Sequence, residues 1–120
     1  MINILLVMGG FEDYSDLDIK GSRDFMLQCL SKLGLPKQKQ RNTKSLDCGA
    51  GVGRVSNLLL KKFYSEVHLI EVAEPLIEEA KNVLKDYPSK FFCTSLHTVE
   101  PDDKYDVIWA QVGYELKYIL

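Results

Sequence analysis

The chain has 120 residues, of which 46% are hydrophobic and 27% charged, and its formal net charge at pH 7 is −2. These values indicate one small domain with its own core, and the charge gives no basis for attraction to nucleic acid or to a membrane surface. The three cysteines have no paired spacing and the two histidines stand apart. The sequence therefore predicts neither a disulfide framework nor a metal site, and it indicates a reducing compartment.

The chain opens with a short apolar stretch, residues 1–7. This stretch is too short to span a membrane and lacks the basic leader of a secretion signal. Met8-Gly9-Gly10-Phe11 and an acidic loop follow it. Across residues 19–33 apolar side chains recur at helical spacing, and Gly34 and Pro36 end the run. The pattern predicts an amphipathic helix that serves as a packing element.

A short basic segment comes next, with no acid between its charges. Its members are Lys37, Lys39, Arg41 and Lys44. Proline, glutamine and asparagine residues accompany them, which is typical of a linker. The sequence therefore predicts a solvated loop here.

The rest of the chain is organised around residues 45–54, which read SLDCGAGVGR. A short apolar lead-in containing Asp47 runs into three alternate glycines, which predicts a strand, a tight turn and a helix. Gly49 and Gly51 would take backbone angles denied to other residues, and Gly53 would let the helix lie close to the sheet. A pyrophosphate-binding turn has a longer spacing and no acid before it. The acid here suits a cationic ligand, such as the sulfonium and amino-acid end of S-adenosylmethionine.

A second strand, predicted over residues 67–72, contains the acid that completes this motif. Glu71 lies about 20 residues beyond the glycines, where a carboxylate can accept hydrogen bonds from both ribose hydroxyls of a nucleoside. Alternatively, Glu71 caps the next helix, whose first turn holds Glu74 and Pro75. The glycine turn at the right distance upstream favours ribose binding.

The remaining pattern alternates helices with strands. Helices are predicted over residues 53–63 and from Pro75 to Tyr87-Pro88, and the strands are numbered one to four over residues 45–48, 67–72, 90–96 and 105–111. The apolar face of the second of these helices consists of Leu76, Ile77, Ala80, Val83 and Leu84. This alternation predicts a parallel sheet with strand order 3-2-1-4 and a ligand cleft between strands one and four.

Three stretches resemble the protein N-terminal methyltransferases, enzymes that methylate the α-amine of chains beginning X-Pro-Lys. Residues 46–54 resemble their cofactor motif, including the arginine directly after the third glycine. Met8-Gly9-Gly10-Phe11, with residues 18–25 behind it, is similar to their Leu-Gly-Gly-Tyr loop and the following helix. Residues 105–111 are similar to their fourth strand.

This resemblance implies an α/β fold of the Rossmann-like class I methyltransferase type, with an incomplete sheet. A single domain would span residues 1–120, with an N-terminal loop and helix in 1–36 and the S-adenosylmethionine-binding core in 45–111. The cofactor residues that the resemblance implies are Gly49, Arg54, Glu71, Val72, Ser95, Leu96, His97 and Gln111, and the substrate-binding residues are Met8, Gly9 and Gly10.

The resemblance also implies a role for each of these residues. Gly49 and Arg54 would hold the methionine end of the cofactor, with Arg54 facing its carboxylate. Glu71 would take the ribose hydroxyls, and Val72 would lie against the adenine. Gln111 would face the cofactor near the methyl group.

The base would receive further contacts from the end of strand three. They would come from Ser95, Leu96 and His97, the last at a position where the family more often has glutamine. Met8, Gly9 and Gly10 would line the groove for the N-terminus of the substrate protein.

The sequence also departs from the family. After Gln111 the family continues Trp-Val-Ile-Gly-His-Leu-Thr-Asp, whereas this chain has Val112 in place of the tryptophan and no counterpart of the histidine and aspartate. The family's later acid and asparagine, and its helix before the glycine pair, have no counterpart either. The comparison predicts a chain truncated at both ends, with unknown catalytic residues and little or no activity of its own.

Two functions follow as alternatives. One is S-adenosylmethionine-dependent methylation of X-Pro-Lys N-termini, with a location in nucleus and cytoplasm implied by the resemblance. The other is a non-catalytic fragment that binds S-adenosylmethionine or a partner. A nicotinamide-dependent oxidoreductase is disfavoured by the glycine spacing.

Strand four carries an apolar run that needs a neighbouring strand. If neither residues 1–7 nor residues 116–120 fold against it, its open edge would pair with another chain. The sequence then predicts self-association or a marginally stable fold.

Overall fold

A computed structural model describes residues 3–8, 15–96, 98 and 104–112 of the chain. Strands and helices alternate along most of it. They are β1 (Asn3–Met8), α1 (Ser15–Lys32), β2 (Gln40–Cys48), α2 (Arg54–Leu58), β3 (Tyr64–Ile70), α3 (Glu74–Val83), β4 (Ser89–Phe92) and β5 (Val107–Val112), with a 3₁₀ turn at Leu60–Lys62.

The described strands form one parallel sheet in the order β1-β5-β2-β3-β4. Predicted strands one to four are β2, β3, β4 and β5, so the predicted order 3-2-1-4 is confirmed. The additional strand, β1, pairs with β5 from Asn3 opposite Val107 to Met8 opposite Val112. Strand four is therefore an interior strand, covered by one of the two segments that the sequence left open. Self-association stays a prediction.

Helix α1 begins four residues before the predicted start and ends where the sequence indicates. Gly34 has a φ of 68°, and its amide donates to the carbonyl of Ser31 at 3.2 Å. The amide of Leu35 donates to the carbonyl of Leu30 at 2.9 Å. These two bonds satisfy two of the last carbonyls of the helix, as in a glycine-terminated cap.

Strand β2 is longer than predicted, and the prediction of a loop was wrong for Arg41 and Lys44, which lie within it. The extension is held by side chains, because the amide of Thr43 donates to Oγ of Ser65 at 2.9 Å and the hydroxyl of Ser65 donates back to the carbonyl of Thr43 at 2.9 Å. Asn42, with a φ of 57°, lies within a register shift at the start of the strand.

Three other predicted elements have different ends. The helix predicted over residues 53–63 is divided into α2 and the 3₁₀ turn at Leu59, whose φ is −128°. Strand β3 begins earlier than predicted and ends at Ile70, just before Glu71. The last pair between β3 and β4 joins Ile70 to Phe92. Residues 93–96, predicted as strand, therefore leave the sheet and can line a cleft.

The helices pack on one face of the sheet. Their cluster includes Met26 and Leu30 of α1, Val55 and Leu59 near α2, Ile77 and Ala80 of α3, Leu84 just after α3, and Leu69 and Trp109 of the sheet. In the predicted apolar face of α3, Ile77, Ala80 and Leu84 are buried, whereas Leu76 and Val83 are exposed. A second cluster lies on the opposite face, with Leu46, Cys48, Ile70, Tyr105 and Ala110. Because strand side chains alternate, Ser45 and Asp47 point toward the helix face.

His68 is the centre of a buried polar chain on the second face. Its Nδ1 lies 2.8 Å from the hydroxyl oxygen of Tyr105, and its Nε2 contacts a carboxylate oxygen of Glu66. The contact links β3 to the segment before β5 across the intervening strand β2. A histidine that the sequence left without a role therefore has a structural one.

No helix in the described ranges has the length and apolar character needed to cross a membrane. Among the same residues, no cluster of three or more histidine, cysteine, aspartate or glutamate side chains could hold a metal ion. The three cysteines are free thiols.

Ser45→Ala is expected to stabilise the fold. The side chain of Ser45 is fully buried, and within the part of the chain that the structure describes its hydroxyl has no hydrogen-bond partner. Removing a buried, unpaired hydroxyl should raise the free energy of unfolding by about 1 kcal/mol, which urea denaturation would measure.

Ser56→Ala is the matched control, because the buried hydroxyl of Ser56 does have a partner, Oδ2 of Asp47 at 2.8 Å. Its loss should lower the free energy of unfolding. A destabilised Ser45→Ala variant would show that the hydroxyl of Ser45 is satisfied after all.

Candidate functional site

The turn between β2 and α2 is built from left-handed backbone. Gly49, Gly51 and Gly53 have φ values of 69°, 59° and 83°, a region that residues with a Cβ atom seldom adopt. The amide of Ala50 donates to the carbonyl of Ile70 at 2.9 Å, which ties the turn to the end of β3. The predicted strand, glycine turn and helix are confirmed.

Two of these glycines have opposite surroundings. A Cβ atom built on Gly51 meets no atom within 4 Å, so this side of the turn is open. A Cβ atom on Gly53 would lie 3.3 Å from Cβ of Ala80 and 3.3 Å from Cδ2 of Leu69. Gly53 therefore allows close packing of the helix start against the sheet, as predicted, and Gly51 leaves room for a ligand to approach the backbone.

Glu71 follows β3 directly and connects the turn to the next helix. Its Oε1 accepts the amide of Gly51 at 2.8 Å, and its Oε2 accepts the amide of Ala73, the N-cap residue of α3, at 2.9 Å. Glu71 therefore holds the backbone just before α3, but α3 has no side-chain cap, so the alternative that Glu71 caps this helix is not confirmed. A carboxylate has about four lone-pair positions, so two remain for hydroxyl donors. Its orientation is fixed before any ligand binds.

A cleft of about 170 Å³ opens beside the turn at the carboxyl ends of β2, β3 and β4. It is lined by Cys48, Gly49, Ile70, Glu71, Val72, Thr94, Ser95 and Leu96. Five of these are predicted cofactor residues, which lie far apart in sequence. The side chains of Val72 and Leu96 are 68% and 37% exposed. The sequence predicted a cleft between strands one and four, which are β2 and β5. The described lining instead lies at the ends of β2, β3 and β4, which are predicted strands one, two and three.

A set of hydroxyls, of which the sequence analysis singled out only that of Ser95, shapes the far wall of the cleft. The hydroxyl oxygens of Thr94 and Ser95 lie 2.6 and 2.9 Å from that of Thr98, and the amide of Thr98 donates to the carbonyl of Ser95 at 3.2 Å. The clustering of hydroxyl residues at 94, 95 and 98 is the signal that could have indicated this turn.

Asp47 lies beneath the turn and is not part of the cleft lining. Its side chain is buried and its Oδ2 accepts the hydroxyl of Ser56 at 2.8 Å. Burial raises the pKa of Asp47 to about 7, against the opposing effects of the Ser56 hydroxyl and amide and the charge of Arg54. Burial likewise raises the pKa of the adjacent Cys48 thiol to about 12. Asp47 therefore supports the turn from below, where the sequence suggested a group suited to a cationic ligand.

The other predicted site residues differ in how far they are described. Arg54 is the first residue of α2 and lies close enough to Asp47 to lower its pKa. The backbones of Met8 and Gln111 lie at the ends of β1 and β5, where Gln111 pairs with Val7. Their side chains, and all of Gly9, Gly10 and His97, lie outside the described residues.

The described residues fit a nucleoside-containing cofactor. An oriented carboxylate retains lone pairs for ribose hydroxyls, and the open backbone at Gly51 admits a ligand close to the turn. The exposed apolar side chains of Val72 and Leu96 give a planar base a surface to pack on. These features agree with what the glycine spacing and Glu71 predict.

Residues 4–115 match the family described as AdoMet dependent proline di-methyltransferase. This match covers most of the chain. It includes the glycine turn, Glu71 and all the described residues that line the cleft.

Curated relatives agree with the family match. The chain is 34% identical over 109 residues to N-terminal Xaa-Pro-Lys N-methyltransferase 1 of Xenopus tropicalis and to the protein of the same name of Homo sapiens, in each case over 88% of this chain and 48% of the relative. It is 34% identical over 116 residues to alpha N-terminal protein methyltransferase 1 of Oryza sativa subsp. indica, over 88% of this chain and 37% of that protein. The chain thus spans about half the length of the first relatives.

Solved structures share the fold. A SAM-dependent methyltransferase from Leishmania major superimposes with a TM-score of 0.65 at 36% identity, over 82% of this chain and 38% of that one. An S-adenosylmethionine-dependent methyltransferase from Clostridium acetobutylicum does so with a TM-score of 0.66 at 19% identity, over 82% of this chain and 39% of that one. At that lower identity the likeness concerns the fold alone.

Proposed function

The chain belongs to the AdoMet dependent proline di-methyltransferase family, and we propose that it binds S-adenosylmethionine in the cleft beside the glycine turn and acts in methylating the α-amine of proteins that begin X-Pro-Lys. The observation that carries the proposal is Glu71, whose carboxylate is held in this cleft by the amides of Gly51 and Ala73. The names of the relatives support the substrate class.

In this proposal Gly49 and Arg54 face the methionine end of the cofactor, and Glu71 accepts the two ribose hydroxyls. Val72 and Leu96 pack on the adenine, because both are apolar and exposed at the cleft. S-adenosylmethionine, when bound, would supply a methyl group on a sulfonium sulfur, with the neutral thioether as the leaving group. The task of the protein is to align an uncharged amine with it, so positioning and proton removal contribute most of the rate.

The substrate groove is proposed to include Met8, Gly9 and Gly10, on the resemblance of their sequence to the family loop. A nuclear and cytoplasmic location is proposed on the same resemblance, and imaging of a fluorescent fusion would test it. Incubation with S-adenosylmethionine and a peptide beginning Ser-Pro-Lys, followed by mass spectrometry, tests the activity. An N-terminally acetylated peptide is the control. Cofactor binding without methyl transfer would instead support the non-catalytic function that the sequence left open.

Glu71→Ala is expected to weaken S-adenosylmethionine binding by about 2 kcal/mol, or about 30-fold, because it removes the acceptor for two hydroxyls. Titration calorimetry would measure the dissociation constant. The affinity of the Glu71→Gln variant should lie between those of the unmodified chain and Glu71→Ala, since glutamine keeps one acceptor oxygen and loses the charge.

Glu74→Ala is the matched control, because Glu74 is an exposed acid in the first turn of α3 and does not line the cleft. The affinity of the Glu74→Ala variant for S-adenosylmethionine should equal that of the unmodified chain. Equal affinities for the Glu71→Ala and Glu74→Ala variants would remove the ribose assignment.

A further inference from the structure

The carboxyl group of Asp47 is enclosed directly beneath the wall of the cofactor cleft. Asp47 is 2% exposed, and its neighbours across the sheet are Leu69 of β3 and Trp109 of β5. Its Oδ2 accepts the hydroxyl of Ser56 from α2. The next two residues of the chain, Cys48 and Gly49, line the cleft. A buried acid therefore lies one residue away from the ligand surface without reaching it.

The charged side chains that act on Asp47 are themselves predicted cofactor residues. Arg54 on α2 favours the ionised form of the carboxyl, and Glu71, after β3, opposes it. The third titratable neighbour, the buried thiol of Cys48, is neutral near pH 7 because burial raises its pKa to about 12. The charge of a ligand placed between Arg54 and Glu71 would act on the same carboxyl through poorly screened surroundings.

We propose that Asp47 is a positioning residue whose carboxyl releases its proton to solvent when S-adenosylmethionine binds, so that an ionised carboxylate lies beneath the turn that holds the positively charged ligand. The proposal rests on the proposed cofactor. It couples the release of one proton to cofactor binding. It also gives a reason for a buried acid at this position.

The charge of the ligand decides the direction of this effect. S-adenosylmethionine carries a sulfonium, an ammonium and a carboxylate, hence one net positive charge, whereas S-adenosylhomocysteine has lost the sulfonium charge. An ionised Asp47 therefore favours the methyl donor over the product. Burial raises the pKa of Asp47 to about 7, so near neutral pH little free energy separates its two forms, and one added cation is enough to select the ionised form.

Calorimetric titration of the chain with S-adenosylmethionine between pH 6 and pH 7.5 tests the proposal. The dissociation constant should rise by up to about tenfold per unit as the pH is lowered below 7, since one proton must then leave on binding. Titrations in two buffers of different ionisation enthalpy should count that proton. S-adenosylhomocysteine should show a smaller rise.

Asp47→Asn is the test variant, because asparagine keeps an acceptor for Ser56 and cannot ionise. Its affinity should not change with pH over this range, and it should release no proton. Ser56→Ala is the second variant, since the Ser56 hydroxyl lowers the pKa of Asp47 and its removal should shift the midpoint of the pH dependence upward. If Asp47 had only a structural role, the two substitutions would change neither the pH dependence of the affinity nor the number of protons released.

Two failures can be told apart. Binding whose pH dependence is the same in the unmodified chain and in both variants would overturn the proton linkage and leave the cofactor assignment intact. Absence of S-adenosylmethionine binding by the unmodified chain at every pH would overturn the cofactor assignment itself, and the linkage with it.

Discussion

Asp47→Asn is expected to make the chain about 4 kcal/mol more stable at pH 8 while leaving its stability near pH 4 almost unchanged. Burial raises the pKa of Asp47 from 3.8 to about 7. Between these values the folded chain holds a proton that the unfolded chain has released. Stability from this group is therefore fully present below pH 4 and is lost as the pH rises to about 7. Asparagine has no proton to lose, so the variant escapes this decline.

Urea denaturation at pH 4.5, 6 and 8 measures the effect as the difference between variant and unmodified chain. Groups that titrate equally in both cancel in that difference. Asp106→Asn is the matched control, because Asp106 is partly exposed and its Oδ2 accepts the amide of Lys44 at 2.8 Å. This control should not reproduce the gain at pH 8. A constant difference between Asp47→Asn and the unmodified chain at all three pH values would refute the raised pKa.

The glycine turn is the part of the site that the sequence predicts best, because its conformation is decided locally. Three alternate glycines after a buried strand leave few alternatives to left-handed backbone, and Gly49, Gly51 and Gly53 all have it. The strand order follows from rules that are equally general. Parallel strands joined by right-handed crossovers through helices have few possible arrangements.

The contacts of the two acids could not be predicted, since they depend on partners distant in the chain. Glu71 accepts an amide from Gly51, 20 residues away, as well as the amide of Ala73 close by. Asp47 is buried because α2 covers it and β3 and β5 flank it. A sequence pattern shows that an acid stands before a glycine turn but not on which face of the sheet it will be enclosed.

The position of β1 was likewise left open by the sequence. A short apolar run at the start of the chain is compatible with several partners, and pairing is decided by which strand lacks a neighbour. Strand β5 is buried on its two faces around Trp109 and Ala110, and β1 supplies its second row of backbone hydrogen bonds. The walls of the cleft could not be predicted from the sequence either, because Ser95 and Leu96 reach the site only by leaving the sheet after β4.

Gly53→Ala is expected to lower the free energy of unfolding by about 2 to 5 kcal/mol. Gly53 has a φ of 83°, which costs a residue with a Cβ atom about 1 to 2 kcal/mol. The added methyl would also lie 3.3 Å from Cβ of Ala80 and from Cδ2 of Leu69, both fully buried. Ala80 is part of α3, so relief requires a shift of the helix, and overpacking of this kind costs about 1 to 3 kcal/mol more. Thermal and urea unfolding would measure the loss.

Gly34→Ala separates the two contributions. Gly34 has a similar φ of 68°, but a Cβ atom there meets no atom within 4 Å, and the residue lies at the end of α1, away from the turn. This variant should lose only the backbone contribution of about 1 to 2 kcal/mol. The excess loss in Gly53→Ala then measures how closely the turn packs on α3 and β3. Equal losses in the two variants would show that α3 yields to the methyl group, and that Gly53 is required for its backbone angle alone.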